Sequence, residues 1–211
     1  MTEDLVLYTH PMSRGRIVRW MLEEIGQDYR TELLEYGTTM KAPDYLAINP
    51  MGKVPALRHG AAQVTECAAI CAYLADAFPE AGLAPPPGDP LRGAYYRWLF
   101  FAAGPVEAAA SNKALGFEVP EERRGTVGYG CMADVLSTLE AAVSAGDYVL
   151  GAQFSAADVY LGSQIGWGMS FGTLDKRPAF EDYWARISAR PAALRAREID
   201  DALLPPPSGE A

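Results

Sequence analysis

A single proline, Pro55, constrains the fold of the first part of this 211-residue chain. It follows the turn-forming segment 49–53 (NPMGK) and Val54, and it precedes a short apolar run. Proline removes one backbone donor and fixes one φ angle, and a cis Val54-Pro55 bond, which an X-Pro pair reaches at about 0.5–1 kcal/mol, would bend the entry into a strand. Such a bend would turn the Val54 amide and carbonyl outward, where an extended peptide can pair with them.

A second motif, Thr65-Glu66-Cys67, stands directly before an apolar helical pattern. A helix start offers free N–H groups and a positive dipole end to a carboxylate, while Glu66 offers a negative partner to an ammonium group. An extended peptide with a free α-amino acid end would fit both motifs. The simpler alternative is a plain turn followed by a capped helix.

Hydrophobic periodicity divides the first part of the chain into alternating strands and helices. It predicts a helix at 14–25, stopped by Gly26, a helical turn at 43–46 and a closing helix at 66–77. Strands are predicted at 5–8, 29–34, 54–58 and 62–65. This order is that of an α/β thioredoxin-like domain.

Proline and glycine dominate residues 78–90 and indicate a linker. Beyond them the pattern is helical, at 91–110, 121–145, 155–171, 179–188 and 192–202. The predicted organisation is therefore a thioredoxin-like domain at 1–78, a linker at 79–88, an all-α helical-bundle domain at 89–204 and a tail at 205–211.

Ser155 and Asp158 form a predicted capping box at the start of one of these helices. Ser155 would cap the helix, Asp158 would return the hydrogen bond three residues later, and Phe154 would pack on Val159. Because this arrangement stabilises a helix start, we expect Asp158 to act in folding and not as a catalytic acid.

Composition excludes several classes of protein. A net charge of −9 and an isoelectric point near 4.7 argue against nucleic-acid binding. The chain has no apolar run of membrane-spanning length, and its first four residues lack the positive start of a secretory signal, so we expect a cytoplasmic protein without membrane contact. Its three cysteines form no C-x-x-C pair, which supports neither a disulfide framework nor a metal site.

The two motifs, the linker and the capping box together resemble the cytosolic glutathione S-transferase family over nearly the whole chain. The resemblance implies that the ligand is glutathione, with its cysteine backbone paired to Val54 beside Pro55 and its γ-glutamyl end held by Glu66 and Cys67. It also implies a homodimer and a small electrophilic second substrate. Because the chain is acidic, an anionic ligand needs local cations, and the candidates are Arg14, Arg16, Lys41 and Lys53.

Such a transferase must ionise the glutathione thiol. Lowering a thiol pKa by two units from about 8.5 requires about 2.7 kcal/mol, which one hydrogen-bond donor at a helix N-terminus can supply. In the family this donor follows the first strand, where Ser13 is the first candidate; alternatively, Ser13 only caps the helix. Counting back from Arg16 moves the role towards His10, the second candidate. Tyr8 is expected to pack in the core.

Two further features leave alternatives open. Cys67 stands where the family most often has serine, and a thiol there is a weaker donor and a possible redox target, or simply a small buried residue. A wall for the hydrophobic substrate, or else ordinary core, is predicted for Trp98, Phe101, Tyr129, Trp167, Met169 and Phe171.

Three functions remain open from the sequence. The first is a glutathione transferase. The second is a non-catalytic interaction or regulatory protein with the same fold. The third is a zeta-like glutathione-dependent isomerase, which the serine favours, although the paired serine and cysteine usual for that class are missing.

Overall fold

The computed structural model describes residues 4–204, and the predicted tail at 205–211 lies outside this range. The first part of the chain alternates strands and helices, and each predicted strand or helix lies within one or two residues of its predicted range, whereas the 3-10 turn was not predicted. The elements are β1 (Leu5–Thr9), α1 (Gly15–Ile25), β2 (Arg30–Leu33), a 3-10 turn (Thr39–Lys41), α2 (Pro43–Leu46), β3 (Ala56–His59), β4 (Ala62–Thr65) and α3 (Cys67–Ala77).

The four strands form one mixed sheet in the order β2-β1-β3-β4. β1 pairs with β2 in parallel and with β3 antiparallel, and β3 pairs antiparallel with β4. β1 lies inside the sheet, and Leu5, Val6 and Leu7 are buried there. With its helices, this is the α/β thioredoxin-like fold that the sequence pattern predicts.

Helix α1 packs its apolar side into the core of this unit. The residues spaced for that side are each at most 7% exposed: Ile17, Val18, Met21, Leu22 and Ile25. The helix stops where predicted, because Gly26 adopts φ +69° and donates its N–H to the Leu22 carbonyl.

The second part of the chain is helical, as predicted. Its elements are α4 (Leu91–Phe101), a π-helical turn (Ala102–Val106), α5 (Glu107–Ala114), a 3-10 segment (Glu121–Thr126), α6 (Met132–Ser144), α7 (Ala156–Phe171), α8 (Pro178–Ser188) and α9 (Pro191–Asp201). Within residues 4–204, no helix is both long and apolar enough to cross a membrane.

Two predicted helices differ from those observed. The helix predicted at 91–110 continues to Ala114 but widens into the π-helical turn around Pro105, which has no N–H to donate. The helix predicted at 121–145 is wrong in its first half, because α6 begins only at Met132. Glycines interrupt that half, and Gly130 adopts φ +66°, a conformation that does not continue a helix.

Within residues 4–204, the chain divides into two compact units, one formed by the residues up to Ala81 together with those from Arg190 onward, and the other by Gly82–Ala189. The break after Ala81 falls inside the predicted linker. The sequence pattern predicts a helical domain that runs from residue 89 to residue 204. In the structure, the described residues from Arg190 onward group with the first unit instead. The reason is that α9 packs on α1, where Arg19 and Asp200 form a buried ion pair 2.8 Å long.

The predicted capping box is present at the start of α7. Ser155 caps the helix, and the Asp158 carboxylate accepts from the Ser155 N–H at 2.9 Å. The same carboxylate also accepts from the Val149 N–H at 2.9 Å and from the Tyr183 hydroxyl at 2.8 Å. Asp158 thus joins the preceding loop, α7 and α8 inside the helical unit.

Candidate functional site

The register of the sheet brings three separate segments to one end of it. Ala56, the first residue of β3, lies opposite Tyr8 in β1 and opposite Thr65 at the end of β4. Cα atoms paired in this way are about 4.5–5.5 Å apart. The loop after β1, the bend before β3 and the turn after β4 are therefore neighbours within the first unit. They carry Ser13, Val54 and Glu66, respectively.

The bend before β3 has the geometry that the motif indicated. The Val54-Pro55 peptide bond is cis. Pro55 is buried and Val54 half-buried. Across residues 4–204, Val54 makes no backbone hydrogen bond to another residue. The bend therefore presents an open backbone donor and acceptor at this end of the sheet.

Two side chains that the sequence did not single out fix the loop leading into this bend. Tyr45 donates its hydroxyl to the Lys53 carbonyl at 2.6 Å, and the Asn49 side-chain amide donates to the same carbonyl at 2.7 Å. Asn49 also accepts the Met51 N–H at 3.1 Å. Burial raises the pKa of Tyr45 to about 12, so its hydroxyl stays a donor at neutral pH.

The predicted cations Lys41 and Lys53 both lie at this loop. The Lys41 ammonium donates to the Met51 carbonyl at 3.0 Å. Lys53 is exposed, and its ammonium makes no ion pair with any residue in the described range. One cation is thus tied to the loop, while the other is available to an external anion.

Glu66 has an unusual backbone conformation. It precedes α3 with φ +66° and ψ +117°, and no other residue apart from glycine has a positive φ within 4–204. Such a conformation costs about 1–3 kcal/mol and is found mostly where function requires it. Its carboxylate is exposed and has no partner among the described residues. This favours a role for Glu66 in binding an external group.

Cys67, the next residue, is only 7% exposed. Its thiol donates to the Arg14 carbonyl at 3.7 Å and so links the start of α3 to the start of α1. This burial agrees with the simpler interpretation of a small packed side chain.

Ser13 lies directly before α1 and is bonded on both sides. Its hydroxyl donates to the His10 carbonyl at 2.6 Å and accepts the Gly15 N–H at 3.0 Å. The helix cap itself is Arg14, which provides no side-chain cap. Ser13 thus satisfies one donor at the helix start, while its own proton points at a carbonyl.

His10, the second candidate donor, lies in the same loop. Its Nδ1 accepts the Met12 N–H at 3.1 Å, which places the ring proton on Nε2. Nε2 faces the Glu35 carboxylate at 3.6 Å. The ring also packs on Tyr36, with centroids 4.7 Å apart, and the Tyr36 hydroxyl donates to the Met12 carbonyl at 3.1 Å.

The side chains predicted as a wall for the second substrate differ widely in exposure. Trp98 and Met169 are buried at 6% and 8% exposure, whereas Phe171 is 78% exposed. Tyr129 lines a cavity of about 470 Å³ in the helical unit, with Phe117, Cys131 and Met132. The burial of Trp98 and Met169 fits the alternative of ordinary core, and the wall stays a prediction.

No metal site accompanies these residues. Across residues 4–204, no group of three or more histidine, cysteine or acidic side chains could hold a metal ion. The chemistry offered by the site is instead that of hydroxyl, imidazole, carboxylate, ammonium and open backbone groups.

Known proteins share this architecture. Two family models match, "Glutathione S-transferase, N-terminal domain" over residues 7–82 and "Glutathione S-transferase, C-terminal domain" over residues 130–191. Maleylacetoacetate isomerase of Pseudomonas aeruginosa is 30% identical over 90% of this chain and 94% of its own.

Solved structures agree with these matches. A glutathione transferase from Methylococcus capsulatus has a TM-score of 0.76 and 30% identity over 94% of this chain and 99% of its own. A sphingomonad glutathione S-transferase complexed with glutathione has a TM-score of 0.74 and 28% identity, covering 93% and 98%.

A thioredoxin-like unit with an open cis-proline bend, followed in the chain by a helical unit with a capping box, is the domain order of the two-domain transferases that these family models describe. The chain belongs to the glutathione S-transferase family.

Proposed function

We propose that this protein is a glutathione transferase that ionises the glutathione thiol and directs it at a small, hydrophobic electrophile. The observation that carries the proposal is the gathering of Ser13, Val54 and Glu66 at one end of the thioredoxin-like sheet. Glutathione is the co-substrate of the family, and the sphingomonad relative was solved with it bound.

Each part of the tripeptide has a proposed partner. The open N–H and C=O of Val54, set by Pro55, pair with the cysteine backbone of glutathione. The free carboxylate of Glu66 binds the α-ammonium group. The positive end of α3, which begins at Cys67, favours the adjacent α-carboxylate. Lys53 and Lys41 supply positive charge for the second carboxylate of glutathione.

Ser13 is the proposed activator of the thiol. Its hydroxyl already accepts the Gly15 N–H, and accepting one hydrogen bond strengthens the bond that the same hydroxyl donates. On binding, its proton would turn from the His10 carbonyl to the glutathione sulfur. His10 remains the alternative, since its Nε2–H is also a donor and lies in the same loop.

An exposed aromatic pair on α4 supports the predicted homodimer. Tyr96 and Phe100 are 40% and 73% exposed. They stand four residues apart and therefore on one side of the helix. We propose that a second copy covers this side; sedimentation should show a dimer that Phe100→Glu converts to a monomer.

One relative favours a second candidate function. The Pseudomonas aeruginosa protein at 30% identity is a maleylacetoacetate isomerase, so a zeta-like isomerisation is the alternative enzymatic activity. A non-catalytic member of the family is the other alternative. The cytoplasmic location and a role in detoxification stay predictions from the sequence.

Titration of the protein with glutathione between about pH 5 and pH 9, followed by thiolate absorbance, tests the proposal. We expect thiolate below pH 7 in the parent protein and an upward shift of the bound thiol pKa in Ser13→Ala. Ser170→Ala is the matched control, because that hydroxyl also donates to a backbone carbonyl, at 2.9 Å, but in the helical unit. A shift of the bound thiol pKa in His10→Ala only would assign thiol activation to the histidine. If no thiolate formed at saturating glutathione, the non-catalytic alternative would be favoured.

A further inference from the structure

The facing ends of α1 and α9 carry charges that are unfavourable for isolated helices. Arg16 lies in the first turn of α1, which has no acidic residue there, and Arg19 lies just beyond that turn. Asp200 and Asp201 lie at the end of α9, which has no basic residue in its last turn. A helix start favours negative charge and a helix end favours positive charge, so Arg16 and the two aspartates oppose their own helix dipoles. The arginines of α1 instead pair with the aspartates of α9.

The two resulting ion pairs differ in character. Arg19 and Asp200 are buried, with Nε 2.8 Å from Oδ1, and Arg19 also donates to the hydroxyls of Tyr29 and Thr31 at 3.1 Å. This pair ties α9 to α1 and to β2. Arg16 and Asp201, 2.7 Å apart, are more accessible, with 25% and 51% of their side chains exposed.

The accessible pair reaches the loop that carries Ser13. Arg16 donates Nη1 to Asp201 and, from the same guanidinium group, donates Nε to the Pro11 carbonyl at 2.5 Å. Pro11 is separated from Ser13 by one residue, and the Ser13 N–H and hydroxyl both bond back to the His10 carbonyl. The guanidinium group is planar and rigid, so fixing one of its edges fixes the direction of the other.

We propose that Asp201 is a positioning residue for thiol activation: it holds the Arg16 guanidinium against the Pro11 carbonyl and so fixes the loop that carries Ser13. This inference rests on the proposed function, because it assigns a role in the same site. Without Asp201, Arg16 is free to turn towards solvent, and the loop loses a charged donor. The end of α9 then contributes to catalysis without touching the substrate.

The test compares Asp201→Ala, Asp201→Asn and Arg16→Lys with the parent protein. Asparagine keeps an acceptor oxygen for Arg16 but loses the charge, while lysine cannot bond both partners in the fork geometry of arginine. We expect kcat/KM at neutral pH to fall by about twofold to fivefold in Asp201→Ala and by less in Asp201→Asn, the size typical of accessible ion pairs. The loss should lie in kcat and in a higher pKa of the bound thiol, with KM for glutathione little changed.

Arg195→Ala is the matched control. Arg195 lies on α9 and pairs with Glu23 of α1 at 3.3 Å, so its loss removes a similar contact between the same helices. Glu23 lies seven residues after Arg16 in α1. It is therefore about two helical turns farther from the loop that carries Ser13. A purely structural role for Asp201 predicts equal effects in both variants. Our proposal predicts a shift of the thiol pKa in Asp201→Ala alone.

Hydrogen exchange of residues 10–16 provides a second measurement that does not depend on activity. We expect faster exchange there in Asp201→Ala than in Arg195→Ala. Unchanged exchange together with an unchanged thiol pKa would overturn the proposal. If the parent protein formed no thiolate at all, the proposed function would fail and the catalytic role of Asp201 with it, whereas loop exchange would still show whether Asp201 holds the loop.

Discussion

Tyr45 and Asn49 donate hydrogen bonds to one acceptor, the Lys53 carbonyl, at 2.6 and 2.7 Å. Two donors on one oxygen leave that peptide unit a single orientation, and Val54 follows directly. The direction of the open Val54 backbone is therefore set by two side chains that lie outside the Val54-Pro55 bend.

Removing either donor should weaken glutathione binding. We expect Tyr45→Phe to raise the dissociation constant about twofold to tenfold, the equivalent of one net hydrogen bond of about 0.5–1.5 kcal/mol. Asn49→Ala should cost more, because Asn49 also accepts the Met51 N–H. Calorimetric titration measures both. The control is Tyr148→Phe, in the helical unit, and an equal effect there would contradict the role of Tyr45.

The Tyr45 hydroxyl should also make this loop sensitive to alkaline pH. Burial raises its pKa to about 12 in the folded protein, above the ordinary value of 10. Its contribution to stability is therefore complete below about pH 10 and is lost as the pH rises towards about 12. We expect the free energy of unfolding to fall over this range by more in the parent protein than in Tyr45→Phe.

Tyrosinate absorbance checks the assignment. Tyr29, whose pKa burial also raises to about 12, would ionise over the same range, so Tyr29→Phe is the necessary comparison. If Tyr45→Phe lost unfolding free energy over that range as steeply as the parent, the Tyr45 hydroxyl would not be the titrating group.

Local patterns in the sequence predicted much of this molecule. The Ser155 and Asp158 capping box joins residues three positions apart, and the Val54-Pro55 bend is a property of two neighbours. Both could be recognised because their geometry depends mainly on residues close in the chain. The order of strands and helices follows for the same reason.

The contacts that sequence reasoning missed are those made across long separations or by unremarkable side chains. Arg16 and Asp201 are 185 residues apart, and nothing local marks them as partners. A signal was nevertheless present, since both have the wrong charge for their helix end. Tyr45 offered no such signal, because a tyrosine in a short helix is common. Its role becomes visible only in the folded loop, where its hydroxyl donates to the Lys53 carbonyl.

Gly15 should tolerate no side chain. A Cβ at this position would lie 1.8 Å from the Thr9 Oγ1, 2.9 Å from the Thr9 Cβ and 3.0 Å from the Ser13 Oγ. Gly15→Ala should therefore displace Ser13 and destabilise the protein by about 1–3 kcal/mol, although alanine is the better helix former. Urea denaturation and the pKa of the bound thiol measure the two effects.

A double mutant separates this clash from a general loss of stability. Thr9→Ala removes the nearest atom, so Thr9→Ala combined with Gly15→Ala should recover part of the lost stability. Gly93→Ala is the control, because a Cβ there meets nothing within 4 Å. Additive effects in the double mutant would show that Thr9 is not what Gly15 must avoid.

Asp158 should matter for folding but not for thiol chemistry. Its buried carboxylate accepts from the Val149 and Ser155 N–H groups and from the Tyr183 hydroxyl, so Asp158→Ala leaves several buried donors without an acceptor. We expect a loss of about 3–5 kcal/mol in the free energy of unfolding, against about 1–2 kcal/mol for Ser155→Ala, which removes the cap and one of the donors to Asp158. The bound thiol pKa, measured at low temperature on the folded fraction, should match that of the parent protein. A shifted thiol pKa in a fully folded Asp158→Ala protein would instead give this carboxylate a part in the reaction.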